Sequence, residues 1–207
     1  ARDVRLQINE LRDHINAGNG SDRNHAMIGT ALHFLASHEE ALDWFNQVSG
    51  NGFADYMRGN VLCSLSRYEE AASAFQDAEK NGYDTVQAIL SRAGAIRMDD
   101  RIDEAEELLR ENSRTAVTRA DYSFQMGCIL SDRGDTYGAI EYFERSVDMD
   151  PHHSGALFRL AALNASFGND DEAVQLYERS LSKPPYFLGA LMNLGLLYED
   201  SERYDAA

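Results

Sequence analysis

The residue types that most often carry chemistry occur in this sequence without the spacing that catalysis or metal binding requires. His152 and His153 are adjacent in a segment after Pro151, with no third ligand nearby. The acidic run 99–107 lacks the glycine and the alternation of a calcium-binding loop. It is typical of the first turn of a helix, where carboxylates favour the positive end of the helix dipole. We therefore predict no metal site.

The other candidates for chemistry also lack a recognisable arrangement. The sequence contains no phosphate-binding loop, nucleophile elbow, HExxH motif or paired CxxC. The glycine pairs at 18/20 and 50/52 lack the third glycine of a dinucleotide-binding fingerprint and follow helical segments, which is typical of turns. No two of four N-terminal histidines lie four residues apart, which favours a surface role for His14, His25, His33 and His38. The sequence therefore predicts no enzyme activity and no cofactor.

A 34-residue period runs through most of the chain. The segments 120–153 and 154–187 align over their full length, and a further segment begins in the same way at residue 188. Each repeat carries two amphipathic helical runs joined by a short polar turn, which predicts a pair of antiparallel helices. Six repeats are numbered from their first residue, and they start at Asp22, Gly52, Val86, Ala120, Ser154 and Leu188.

Three positions of the repeat hold residues of constant size. Position 8 is always small: Gly29, Gly59, Ala93, Gly127, Ala161 and Gly195. Position 20 is always alanine, at residues 41, 71, 105, 139, 173 and 207. A larger side chain at either position would push the two helices of a repeat apart. Position 24 carries the large residue expected to fill the gap between repeats: Phe45, Phe75, Leu109, Phe143 and Tyr177.

The period and these columns resemble the tetratricopeptide repeat (TPR) family. Pro151 and Pro185 at position 32 add to the resemblance, which covers nearly the whole chain. The family's tryptophan at position 4 is absent, and the third repeat has Arg92 at position 7 and no terminal proline. The resemblance implies an all-α fold, a right-handed superhelical solenoid of antiparallel helix pairs.

This resemblance sets the expected domain organisation. Residues 1–21 are predicted to form an N-terminal capping helix or the second helix of a decayed repeat, with the helix over residues 1–17 and a left-handed glycine at 18 or 20 that ends it. The array is predicted for 22–207, with repeats at 22–51, 52–85, 86–119, 120–153 and 154–187 and a partial repeat at 188–207. The first repeat is four residues short, and we expect the loss near 48–53, between its second helix and the next repeat.

The net charge of −16 is concentrated on one helix of each pair. Positions 17–31 of the first five repeats hold 20 acidic and 6 basic residues, whereas positions 1–14 of all six repeats hold 7 and 6. In the resembled family the second helix forms the outer face, and the first helix lines the inner groove. The resemblance therefore implies an acidic outer face and a nearly neutral groove. Neither has the basic stripe that direct nucleic-acid binding requires.

Cysteine use and hydropathy favour a cytoplasmic location. Cys63 and Cys128 lie two repeats apart, beyond disulfide reach in stacked repeats, and free thiols fit a reducing compartment. No apolar run approaches the roughly 18 residues of a membrane helix, and the N-terminal residues do not form a signal peptide.

The resemblance also implies where a ligand would bind. Position 5 faces the groove in the family, and from the second repeat onward it is apolar: Tyr56, Leu90, Phe124, Phe158 and Met192. Polar residues that can reach a peptide backbone run beside this row: Asn60, Ser91, Gln125, Arg159 and Asn193. The alternative is that the position 5 side chains simply pack against the neighbouring helix. Position 5 contains no lysine, so the family's clamp for acidic chaperone tails is absent.

These observations predict a non-catalytic protein–protein interaction scaffold. It would bind a peptide or partner segment in a near-neutral, partly apolar concave groove. The alternative is a regulatory or spacer array of a longer protein, whose DNA-binding or transcription-related activity lies beyond Ala207. Because Ala207 is position 20 of a repeat, we expect the chain to be a fragment. An uncapped face at 188–199 would then promote self-association, with Leu191, Leu194 and Tyr198 as candidates.

Overall fold

The computed structural model describes residues 2–184 and 188–200, and within these ranges the chain forms thirteen α-helices and no β-strand. The first seven are α1 (Arg2–His14), α2 (Asp22–Phe34), α3 (His38–Phe45), α4 (Gly52–Ser64), α5 (Tyr68–Lys80), α6 (Thr85–Met98) and α7 (Ile102–Glu111). The others are α8 (Ser113–Ala116), α9 (Ala120–Asp132), α10 (Thr136–Met149), α11 (Ser154–Ser166), α12 (Asp170–Ser180) and α13 (Leu188–Asp200). The predicted all-α helical repeat fold is confirmed.

The helices divide into two compact units at residue 112. The N-terminal unit, residues 1–112, contains α1 to α7, and the C-terminal unit, residues 113–207, contains α8 to α13. The division falls inside the third repeat, the one with the weakest match to the expected pattern. Its second helix, α7, ends at Glu111, and the four-residue α8 takes up the positions that follow Asn112.

Within a repeat, the residues at positions 8 and 24 pack against each other. A Cβ atom added to Gly59 would lie 2.5 Å from the Phe75 ring, and one added to Gly127 would lie 2.7 Å from the Phe143 ring. The ring at position 24 therefore lies directly against the glycine backbone of its own repeat. In the two described repeats with alanine at position 8, position 24 is not phenylalanine but Leu109 or Tyr177. The expected role of position 24 between repeats thus includes a contact within each repeat.

The turn between the paired helices has the same backbone conformation in five repeats. Position 15 has a positive φ in each of them: Ala36 (59°), Ser66 (58°), Asp100 (62°), Gly134 (81°) and Gly168 (77°). The left-handed region suits glycine and is costly for residues that carry a Cβ atom. Three of the five repeats therefore have a strained residue with a Cβ atom at this turn. Ala36 is the one of the three without a polar side chain that could offset the strain.

We expect Ala36→Gly to stabilise the protein by about 0.5–1 kcal/mol, because relief of the left-handed strain exceeds the extra flexibility of glycine in the unfolded chain. The reverse change at the same position of another repeat, Gly134→Ala, should destabilise by about 1 kcal/mol. Urea denaturation followed by circular dichroism measures both changes. Two shifts of the same sign would contradict the assignment of strain to this turn.

The shortened first repeat differs from the expectation. Its second helix, α3, ends at Phe45, position 24, whereas α5 continues to Lys80, position 29. The missing residues therefore come largely from the C-terminal end of the helix rather than from the segment that follows. That segment is held by Val48, which is buried and donates its N–H to the Phe45 carbonyl, and it turns at Gly50 with φ +66°.

The N-terminal helix is shorter than predicted and is anchored at two points. It ends at His14 rather than near residue 17, and a wider helical turn follows, in which Gly18 takes the expected left-handed conformation. Ile8 is buried, and Arg12 forms an ion pair with Glu40. The Arg12 guanidinium also lies 5.8 Å from the centre of the Trp44 ring, so α1 is attached to the first repeat by apolar and cationic contacts. Among the described helices none has the length and apolarity needed to cross a membrane.

Candidate functional site

The predicted groove residues of the N-terminal unit are engaged in packing between neighbouring repeats. Tyr56 stacks on Tyr83, with ring centres 4.2 Å apart, and its hydroxyl lies 3.2 Å from the Ser91 hydroxyl. Gln87 donates a 3.4 Å hydrogen bond to the same phenol oxygen. Leu90 is fully buried, so its side chain packs beneath the predicted groove surface. The half-buried Asn60 directs its amide nitrogen to the Met57 sulfur at 3.9 Å.

The C-terminal unit repeats this arrangement. The Phe124 ring centre lies 4.9 Å from that of His153, and the Phe158 ring centre lies 5.9 Å from that of Tyr177. Asn193 donates a 2.9 Å hydrogen bond to the Tyr177 hydroxyl. The structure therefore brings the predicted residues Phe158 and Asn193 together around a buried tyrosine. In both units the position 5 aromatic rings contribute to packing, as the alternative interpretation expects.

The remaining predicted residues differ in exposure. Gln125 and Arg159 are half-buried, and the buried amide oxygen of Gln125 has no hydrogen-bond partner in the described part of the chain. Met192 is 62% exposed. These three side chains are more accessible to a ligand than Leu90 is.

Sequence reasoning missed an apolar cleft in the N-terminal unit. The cleft has a volume of about 1130 Å³ and lies among α1, α2 and the start of α4. Its most exposed apolar side chains are Phe34 (79% exposed), Met27 (48%) and Phe53 (48%), with Val4 of α1 on another wall. These large apolar groups are exposed to water, which is unfavourable in free energy, and a bound partner would remove them from water.

One signal for this cleft was present in the sequence. Met27 and Phe34 are seven residues apart, two helical turns, so they lie on one side of α2 and outside the small-residue columns. The analysis of position 5 missed them because Ala26, the position 5 residue of this repeat, is buried. The contribution of Val4 depends on where α1 attaches, and α1 carries none of the repeat columns that would have placed it.

Among the described residues that line the cleft, Arg23 is the one cation. It pairs with no carboxylate in the described part of the chain, although acidic residues outnumber basic ones 35 to 19. The first 53 residues hold seven acidic and four basic residues, an excess of three acidic residues. Two other polar side chains that line the cleft bond to the backbone of helices: Thr30 donates to the Ala26 carbonyl, and the Asn51 side chain accepts from the Ala54 N–H.

Beside the cleft, two histidines form a close pair. The Nδ1 atoms of His33 and His38 lie 3.3 Å apart. Burial, followed by the charge of His38, lowers the pKa of His33 below its ordinary value of 6.5. The unfolded chain therefore binds this proton at a higher pH than the folded protein does. Stability should fall as the pH drops through 6.5 towards the folded-state pKa.

We expect His33→Gln to make the protein less sensitive to mild acid. Between about pH 7.5 and about pH 5.5 the melting temperature of the wild type should fall more than that of the variant. His152→Gln is the matched control, because His152 is exposed in the segment after α10. Equal acid sensitivity of the wild type and His33→Gln would contradict the prediction.

Comparison with known families agrees with this architecture. Residues 56–112 and 124–186 match a family model for the tetratricopeptide repeat. The match covers more than half of the chain, and the chain therefore belongs to the TPR family. Membership of this family supports a role as a protein-interaction scaffold. No curated protein matches the chain.

Several solved structures share the fold at low sequence identity. TTC0263, a TPR protein of Thermus thermophilus, has a TM-score of 0.70 at 17% identity, covering 86% of this chain and 100% of its own. The APC/C heterotetramer Cut9–Hcn1 contains a chain with a TM-score of 0.73 at 15% identity, covering 94% of this chain and 40% of that one. YrrB, described as a TPR protein with an unusual peptide-binding site, has a TM-score of 0.53 at 19% identity, covering 88% and 96%. At these identities the likeness shows the fold alone.

Proposed function

We propose that this chain is a non-catalytic interaction scaffold that binds a segment of a partner protein in the cleft of the N-terminal unit. The observation that carries the proposal is the exposure of Met27, Phe34 and Phe53 around one concave space. Clefts that bind ligands are mostly apolar with few polar groups, and this cleft has that composition.

The apolar side chains provide the affinity, and Arg23 provides the selectivity. Covering Phe34 and Met27 removes apolar surface from water, at roughly 25 cal/mol for each Å². The Arg23 guanidinium can donate hydrogen bonds to a carboxylate of the partner without breaking an ion pair among the described residues. The preferred partner segment is therefore apolar with at least one acidic residue, and a segment with basic residues at the same place is disfavoured.

The groove predicted from the sequence remains a second part of the proposal, in the C-terminal unit. There the accessible residues Gln125, Arg159 and Met192 contact the ligand, and Phe124 and Phe158 hold the helices that present them. In the N-terminal unit, Tyr56 and Leu90 have the same supporting role. Binding at this second surface would be weaker, because fewer of its apolar side chains are exposed.

A peptide-display selection tests the proposal. The 207-residue chain is used as bait, and all peptides that bind it are retained. The affinity of the selected peptides is then measured by fluorescence anisotropy for the wild type, Met27→Glu and Phe34→Ser. We expect at least about tenfold weaker binding to each variant, with an unchanged melting temperature because both side chains are exposed.

The matched control is Tyr137→Ser, which removes an aromatic side chain that is 78% exposed on α10 of the C-terminal unit. It should bind the selected peptides as the wild type does. Loss of binding in Tyr137→Ser but not in Phe34→Ser would contradict a site in the cleft. Loss in Arg159→Ala alone would place the site in the predicted groove of the C-terminal unit.

A further inference from the structure

His33 and His38 bring two imidazole nitrogens together across the turn of the first repeat. His33 lies in the last turn of α2, and His38 is the first residue of α3. Ala36, between them, has the left-handed backbone conformation of the repeat turn. A spacing of five residues does not place two side chains side by side on a continuous helix, so the helical pattern of the sequence gives no signal for this pair. The pair exists because the chain turns.

The two rings point their Nδ1 atoms towards one position. The Nδ1 atoms lie 3.3 Å apart, whereas the ring centres lie 5.2 Å apart. The ring centres are farther apart than the nitrogens by more than one ring alone can supply. Both rings therefore recede from the space between the two nitrogens, as two ligands of a common atom do.

The two distances are those of imidazoles that share one metal ion. Imidazole nitrogens bind Zn²⁺ at about 2.0–2.1 Å in tetrahedral geometry, which places two such nitrogens about 3.3–3.4 Å apart. Each ring centre lies behind its nitrogen on the line from the ion, so the centres are then about 5.2 Å apart. A direct hydrogen bond between the nitrogens is the alternative, and its length of 3.3 Å exceeds the usual range of about 2.7–3.2 Å for N–H···O bonds.

The surroundings of the pair suit a cation. Both histidines are half-buried, so an ion between them stays in contact with water. Glu39 and Glu40 follow His38, and their negative charge offsets the positive end of the α3 dipole. Arg12 pairs with Glu40 and leaves the charge of these three residues negative. Burial lowers the pKa of His33, which keeps its imidazole neutral and able to bind an ion near pH 7.

We propose that His33 and His38 bind Zn²⁺, or another divalent ion that prefers imidazole ligands, through their Nδ1 atoms. The proposal revises the expectation from sequence that the chain has no metal site. The described part of the chain offers no group of three or more histidine, cysteine, aspartate or glutamate residues that could hold an ion. Two positions of a tetrahedral ion are thus left for water or for a ligand from another molecule. The inference goes beyond the proposed function and does not depend on it.

A bound ion joins the two helices of the first repeat at their turn. The unfolded chain does not hold the two nitrogens at this distance, so the ion stabilises the folded chain. In thermal unfolding after treatment with EDTA, added ZnCl₂ should raise the melting temperature of the wild type by at least about 3 °C at saturation.

Two substitutions test the ligands. His33→Gln and His38→Gln should each lose the increase in melting temperature. Isothermal titration calorimetry with ZnCl₂ should show at least about tenfold weaker binding to each variant than to the wild type. The matched control is His14→Gln, because His14 is exposed at the end of α1 in the same unit, and this variant should respond to Zn²⁺ as the wild type does.

NMR of the histidine rings separates ligation from a merely structural role. Zn²⁺ should shift the ¹⁵Nδ1 resonances of His33 and His38 and leave the proton of each ring on Nε2. The resonances of the other four histidines should not change. This measurement uses the wild type, so it decides the question even if a glutamine variant is less stable. The acid sensitivity expected for His33 is measured with EDTA present, because a bound ion keeps both imidazoles deprotonated.

Three outcomes would overturn the inference. An unchanged melting temperature of the wild type in ZnCl₂ excludes the site. An equal increase in the wild type, His33→Gln and His38→Gln means that Zn²⁺ binds elsewhere, as an adventitious ion only. A shift of the Nε2 rather than the Nδ1 resonances excludes the proposed geometry. None of these measurements involves a peptide in the cleft, so the inference can fail while the proposed function stands.

Discussion

Replacing Gly127 with leucine is expected to lower the free energy of unfolding by about 3 kcal/mol, at the upper end of overpacking effects. A Cβ atom alone would lie 2.7 Å from the Phe143 ring, which is completely buried. Even Gly127→Ala should destabilise by about 1–2 kcal/mol, although alanine favours a helix by about 1 kcal/mol over glycine. Urea denaturation followed by circular dichroism measures both changes.

Other repeats of the protein indicate a compensating substitution at position 24 and a control glycine at position 8. The third repeat combines Ala93 with Leu109 at the same two positions. The double variant Gly127→Ala/Phe143→Leu should therefore be more stable than the sum of the single effects by about 1–2 kcal/mol. Gly195→Ala is the matched control, because a Cβ atom there would meet nothing within 4 Å. Additive single effects, or a Gly127→Leu variant as stable as the wild type, would mean that the ring does not restrict position 8.

The second large effect is expected for Arg58→Met, which should destabilise the protein by about 3 kcal/mol. Asp55 is 4% exposed, and its carboxylate is held by Arg58 at 3.0 Å and by the Asn81 amide at 2.7 Å. Without the arginine, the buried carboxylate keeps the neutral Asn81 amide as its partner among the described residues. Thermal and urea denaturation measure the loss of stability.

Other repeats again indicate the compensating change. Position 4, where Asp55 lies, is Ile89 in the next repeat and Leu157 in the fifth. The double variant Asp55→Ile/Arg58→Met should regain most of the lost stability, because it removes the buried charge together with its partner. Arg67→Met removes an arginine of an exposed ion pair with Glu70, and its effect on stability should be much smaller because solvent screens that pair. Equal losses for Arg58→Met and Arg67→Met would contradict a special role of the buried carboxylate.

Much of the repeat architecture could be predicted from the sequence because it depends on local geometry. Two helices that cross closely admit only small side chains, so Gly59 and Ala71 identify their positions in any register of 34 residues. Gly134 and Gly168, at position 15, have the left-handed conformation that glycine adopts without strain. These constraints act between residues fewer than about 20 positions apart, within one helix pair.

The binding surfaces were decided only by the tertiary structure. Whether a position 5 ring faces a ligand or the next repeat depends on how adjacent helix pairs pack, and the packing half-buries Phe124 against His153 while it leaves Met192 exposed. The cleft also depends on α1, which has no repeat pattern and attaches through Ile8 and Arg12. This attachment places Val4 in the lining of the cleft together with Met27 and Phe34. By itself the sequence determined which residues form helix pairs, because the repeat columns record close local contacts. Exposure depends on contacts between separate elements, which no column of this sequence records.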